Sequence, residues 1–130
     1  MVNYQSLVGR QWKYGSQDCY GLIKDYFKLL GVQLPEYERP KDLETCQSVF
    51  LDQMPKKGFK QIELNDRQQN DVLIMKLGTK TPMHGAILLP NEMILHQKLK
   101  SLSCVEPLRS YYVESVEAVF RYDATGHSSR

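Results

Sequence analysis

The thiol of Cys19 and the imidazoles of His84 and His96 are of the types that acyl transfer uses. Cys19 lies in "WKYGSQDCYGLI", where a polar run meets what reads as the first turn of a helix. The thiolate is the nucleophilic form, and an ordinary thiol with a pKa of about 8.5 is mostly protonated at neutral pH. A helix N-terminus favours the thiolate through roughly half a positive charge and its unpaired N–H groups. A nearby histidine takes the proton, and a second polar group holds that histidine in orientation. Cys19, His84 and His96 fill these roles of nucleophile, base and orienter, in that order. The cysteines, Cys19, Cys46 and Cys104, are odd in number and widely spaced, so they suggest neither a disulfide framework nor a CxxC metal knuckle. One cysteine and two histidines are also acceptable zinc ligands, although their spacing is not that of a structural finger.

The elements that must position these groups are readable from periodicity. Apolar residues at Cys19, Leu22, Ile23, Tyr26, Phe27 and Leu30 form one stripe, with Lys24, Asp25 and Lys28 opposite. Asp18 as N-cap and Gly31 as C-cap predict a helix over Cys19–Leu30. In "MHGAILLPNEMILHQ" a turn at Leu89, Pro90 and Asn91 predicts a hairpin with Leu88 opposite Glu92, Ala86 opposite Ile94 and His84 opposite His96. Directly opposed residues have Cβ atoms about 4.5 to 5.5 Å apart, close enough for one imidazole to bond the other.

Pro40 can open a second helix carrying Leu43, Cys46, Phe50 and Met54 before Pro55 stops it, with Cys46 on the core face. "KKGFKQIELNDRQQN" reads as loop with a short strand at Ile62 to Leu64. "DVLIMKL", "HGAILLP", "EMILHQ" and "VEAVFRY" read as strands of a small antiparallel sheet. Helices first and strands later predict an α+β domain with helices on one face of the sheet. One domain over 1–123 is expected, followed by a frayed tail at 124–130 that leaves His127 uninvolved.

Composition narrows the function classes. At 130 residues the chain is long enough for one hydrophobic core, and 42% hydrophobic with 25% charged residues is typical of packed globular proteins. Seventeen basic against 15 acidic residues give a net charge of +2 without a basic block, which argues against nucleic acid as a partner. "MVNYQSLVGRQW" lacks the basic start and apolar core of a signal peptide, and no apolar run approaches the ~18 residues of a membrane span. Synthesis in the cytosol without membrane insertion is expected.

Together, "WKYGSQDCYGLI", "NDVLIM", "MHGAILL" and "MILH" resemble the NlpC-type cell-wall cysteine peptidases, a papain-like family that cuts peptidoglycan stem peptides. "DCYGLIKDYFKLLGVQLP", with the later "LSCVEPL" and "AVFRY", looks most like the phage branch, the tail assembly protein K domain of lambda-like tails. The resemblance implies a papain-like α+β domain with Cys19 as nucleophile, His84 as general base, His96 as orienter and the backbone N–H of Cys19 in the oxyanion hole. It implies a cysteine endopeptidase, needing no metal or other cofactor, that cleaves at the bond from γ-D-glutamate to diaminopimelate. Its partners would be peptidoglycan peptides and other tail-tip proteins, and its place a virion tail or a tail-assembly step in the host cytoplasm. A structural tail-tip component with weak or unused peptidase activity is the alternative. Three positions depart from the family pattern. Trp12 stands where tyrosine is common, in a place associated with substrate or oxyanion. Tyr20 stands where serine commonly follows the cysteine, a change expected to reshape the pocket. Asn70 replaces the usual glycine before the first strand, a change of turn.

Overall fold

The computed structural model describes residues 3–13, 17–34, 51, 54–77 and 82–123. Helix α1, Cys19–Leu29, begins where Asp18 Oδ1 accepts the Gly21 N–H at 2.9 Å, and ends before Gly31, whose φ of 85° no β-carbon opposes. Strands β1 (Phe59–Ile62), β2 (Val72–Met75), β3 (His84–Leu89), β4 (Met93–His96) and β5 (Cys104–Pro107) lead to helix α2 (Ser110–Ser115) and strand β6 (Val116–Tyr122). The strands form an antiparallel sheet in the order β1-β6-β2-β3-β4-β5. The architecture is the predicted α+β one.

Both faces of this sheet are covered. Val72, Ile74, Ile87, Leu89, Leu95, Ala118 and Phe120 turn to one face, against Leu22, Ile23, Tyr26 and Phe27 of α1. Leu73, Met75, Ala86, Leu88, Ile94 and Val119 turn to the other, where Tyr112 of α2 packs. β2 and β3 are therefore buried at every position rather than alternating, with His84 the one polar residue among them. The expectation of helices on one face holds for α1, while α2 lies opposite. It escapes periodicity because it is six residues long and has no side-chain cap bond.

Other expectations shift by a few residues. The early strand is Phe59–Ile62 rather than 62–64, since Phe59 is the residue that reaches the core and Leu64 starts a 3₁₀ turn, Leu64–Asp66. Leu51 of the predicted second helix is helical, and Met54 and Pro55 sit in the 3₁₀ turn Met54–Lys57. The rest of the predicted second helix, with Cys46, lies outside the described residues, as does the predicted tail at 124–130. Asn70 adopts φ 76°, the left-handed conformation that asparagine tolerates after glycine, and its Oδ1 accepts the Tyr26 hydroxyl at 2.5 Å. The substitution thus keeps the turn and adds a tie to α1. Next to it, Asp71 is buried and receives Arg121 Nε and Nη2 on its two oxygens, each at 2.9 Å.

Candidate active site

The hairpin carrying the histidines forms, with a different register. Leu89 stays in β3 opposite Met93, and the turn is Pro90–Glu92, with Asn91 and Glu92 at φ 64° and 57°. Moving the turn centre one residue along puts His96 opposite Ala86, not His84. A shift of partner by two residues keeps the face, because strand side chains alternate with period two. His84 and His96 are therefore diagonal neighbours on the α2 face, and the rings still meet: His84 Nε2 lies 2.8 Å from His96 Nδ1, with centroids 5.0 Å apart.

The chain of bonds continues beyond the second imidazole. His96 Nε2 lies 2.7 Å from Glu106 Oε2 on β5, and the same oxygen accepts the Tyr112 hydroxyl at 3.0 Å and the Cys104 thiol at 3.6 Å. Lys98 Nζ donates to the Tyr112 oxygen at 3.3 Å. A carboxylate only accepts, so His96 carries its proton on Nε2 and presents a lone pair at Nδ1. His84 must then donate from Nε2, which leaves Nδ1 as its basic nitrogen. Glu106 fixes both tautomers through two rings.

Burial sets the charge of these groups. His84 is 7% exposed and His96 fully buried. Desolvation, with the neighbouring His96 and Lys98 adding to it, lowers the His84 pKa to about 3, and burial lowers that of His96 against the pull of Glu106. Both rings are neutral at pH 7. Burial pushes Glu106 up, but hydrogen bonds from His96 and Tyr112 outweigh it and hold the carboxyl below its usual range. Burial and the adjacent Glu106 raise the Cys104 thiol.

Cys19 is the first residue of α1, as predicted, and is half-buried. Its Sγ donates to the carbonyl oxygen of Met83 at 3.4 Å, so the thiol is brought to the peptide unit that leads into His84. Tyr20 is buried in the core group of α1, so the residue following the cysteine is a packing residue. Trp12 is half-buried and precedes the Lys13–Gln17 bridge, whose paired N–H···O bonds of 2.8 Å turn the chain back so that residue 12 comes level with Asp18. The same segment is strapped to the far end of β4. The Arg10 carbonyl accepts from Gln97 Nε2 at 2.8 Å and from the Ser103 N–H at 3.0 Å, and Ser103 Oγ accepts the Arg10 N–H at 2.8 Å. Arg10, two residues before Trp12, is thus held to the segment that joins β4 to β5.

Glu106, Tyr112 and Lys98 were not among the residues singled out by sequence. "CVEP" is too short and polar to read as a strand, and only as an edge strand does it put a carboxylate two residues beyond the partner of His96.

The NlpC/P60 family matches residues 9–121, a span that holds Trp12, Cys19, His84, His96 and Glu106. The chain belongs to the NlpC/P60 family. Among curated relatives it is 30% identical over 119 residues to the tail tip assembly protein K of Escherichia phage lambda, covering 91% of this chain and 60% of that protein. It is 28% identical over 130 residues to the tail tip assembly protein K of Escherichia phage N15, covering 95% of this chain and 52% of that one. The chain thus spans little more than half the length of these relatives. In fold it is similar to a lipoprotein-like NLP/P60 family protein of Staphylococcus aureus, with a TM-score of 0.66, 19% identity and coverage of 92% of this chain and 39% of the other. Among the described residues, no helix is long and apolar enough to cross a membrane.

Proposed function

We propose that this NlpC/P60 protein is a tail-associated cysteine endopeptidase that hydrolyses peptidoglycan stem peptides at the γ-D-glutamyl-diaminopimelate bond. The observation that carries the reading is the bond chain His84–His96–Glu106, which leaves a basic nitrogen on the histidine next to the carbonyl that Cys19 touches. Cys19 Sγ turns from the Met83 carbonyl toward His84, gives its proton to Nδ1 and attacks the scissile carbonyl carbon. The oxyanion is held by the Cys19 N–H at the positive end of α1, with the Trp12 indole N–H as a second donor. His84 returns the proton to the leaving amine. It then takes one from water, which releases the acyl group from sulfur. His96 holds the His84 ring while that ring is transiently charged.

The phage relatives support the cellular setting: a protein that acts with other tail-tip components and reaches the cell wall as part of a virion. Those relatives are named for tail tip assembly, which favours one second reading, a structural tail-tip component that keeps the fold without using the chemistry. Purified muropeptides incubated with the protein and analysed by mass spectrometry separate the two. The peptidase reading expects fragments that gain one water at the γ-D-glutamyl bond and are absent with Cys19→Ala. Intact muropeptides after incubation with folded protein favour the structural reading.

A further inference from the structure

On the side of His96 away from His84, three metal-ligand atoms converge. His96 Nε2, Cys104 Sγ and Glu106 Oε2 all lie within 4.8 Å of one another. Strand pairing puts them there: His96 and Cys104 are direct partners across β4 and β5, and Glu106 is two residues along on the same face. An imidazole, a thiol and a carboxylate form a donor set suited to zinc, and an open fourth position for water is usual with three protein ligands. His96 is fully buried, whereas Cys104 and Glu106 are half-buried, so the cluster has a wet side from which an ion can enter. Tetrahedral bonds of about 2.0 to 2.3 Å keep ligand atoms about 3 to 4 Å apart. The Cys104–Glu106 separation of 3.6 Å already fits, and the 2.7 Å His96–Glu106 bond has only to open slightly. The other polar groups around the cluster are the Tyr112 hydroxyl, Lys98 Nζ on an exposed stem, and the Arg109 guanidinium 4.0 Å from the other Glu106 oxygen. The two cations weaken a site for M²⁺, but both side chains are exposed and can swing out into solvent.

We propose that His96, Cys104 and Glu106 bind a thiophilic divalent metal ion such as Zn²⁺, and that filling this site switches off Cys19. The binding half stands by itself, while the switch rests on the peptidase reading above. To ligate through Nε2, His96 must give up the proton it shares with Glu106 and carry one on Nδ1 instead. His96 Nδ1 then donates to His84 Nε2, so the His84 proton moves to Nδ1. Each ring keeps one proton, and the only proton released is that of the Cys104 thiol as its sulfur bonds the metal. The effect is a reversal of both tautomers: His84 faces Cys19 with an N–H instead of a lone pair and cannot take the thiol proton.

Cobalt(II) is the probe for binding, since a thiolate ligand adds a near-ultraviolet charge-transfer band. The full chain carrying Cys19→Ala, titrated with Co²⁺, is expected to develop that band, saturating at one equivalent, and Zn²⁺ should bleach it. Cys104→Ser should abolish the band, and Glu106→Gln should weaken it, with circular dichroism confirming that each variant is folded. A band that survives Cys104→Ser, or no band in Cys19→Ala, overturns the site. The switch is read separately, from iodoacetamide labelling of Cys19 in otherwise native protein. Saturating Zn²⁺ is expected to slow labelling at least about 100-fold, the low end of what a lost general base costs, with reversal by EDTA and little slowing in Cys104→Ser. Equal slowing in Cys104→Ser means that zinc acts on Cys19 directly, which overturns the switch. Failure to cleave any muropeptide would remove the peptidase reading yet leave the cobalt band in place.

Discussion

In the histidine chain each nitrogen has a role dictated by its neighbour. Glu106 can only accept, so the proton positions of two rings follow from one carboxylate 2.7 Å from His96. This separates the expected effects of substitutions. His84→Ala removes the proton carrier and should lower turnover of a muropeptide by about 100- to 10,000-fold, the span typical of a general base. His96→Gln should cost less, because an amide oxygen can still accept from His84 Nε2 and keep the tautomer. Rates for both variants on one substrate check the order, and a larger loss in His96→Gln would reverse the assignment of base and orienter. That Cys19 starts α1 and that His84 and His96 meet was legible from residue type and spacing. Glu106 was not, because nothing local to "CVEP" says that its carboxylate meets a histidine ten residues earlier.

Elements differ in how much of their form is local. Helix α1 was readable to within a residue because its cap, its stripe and its terminating glycine all lie within the segment. The β3–β4 hairpin was readable as a hairpin, but its register depended on whether Leu89 or Glu92 joined the turn. Leu89 is 3% exposed and packs in the core, so burial of its side chain decided the matter in favour of the strand. Edge strand β5 and helix α2 were missed for a shared reason: each is short, and each is held by the sheet rather than by its own pattern. The turn before β2 is anchored by Asp71, whose carboxylate is buried under a two-pronged bond from Arg121 and also accepts the Gln68 N–H at 2.8 Å. Asp71→Ala leaves those donors unanswered and should cost about 3 kcal/mol, the low end for breaking a buried pair because Arg121 is partly exposed. Urea denaturation measures it, and a loss under about 1 kcal/mol would place this bond with ordinary surface pairs.

Over the whole molecule, the sheet places two neutral histidines in its interior, and that makes stability depend on pH. The His84 pKa is about 3 in the folded chain against 6.5 for an ordinary histidine, and that of His96 is lowered as well. Below pH 6.5 the unfolded chain takes up protons that the folded chain refuses until about pH 3, so unfolding gains at each step downward. Metal-free protein should therefore lose stability steadily from about pH 6.5 toward pH 3 and show no histidine contribution above pH 7.5 or so. Replacing both histidines by glutamine should flatten that slope in thermal unfolding scans, and an unchanged slope would mean that carboxylates alone set it. In the proposed peptidase a chain of bonds from β5 through β4 and β3 makes the thiol at the start of α1 reactive. The most direct measurement of this is the rate of iodoacetamide labelling of Cys19 and Cys104 near neutral pH, followed by peptide mapping, in native protein and in His84→Ala. Cys19 is expected to be labelled much faster than Cys104, whose thiol is held protonated by burial and Glu106, and His84→Ala is expected to remove most of this advantage. Equal labelling of the two thiols in the native protein, or a Cys19 rate that His84→Ala leaves unchanged, would contradict it.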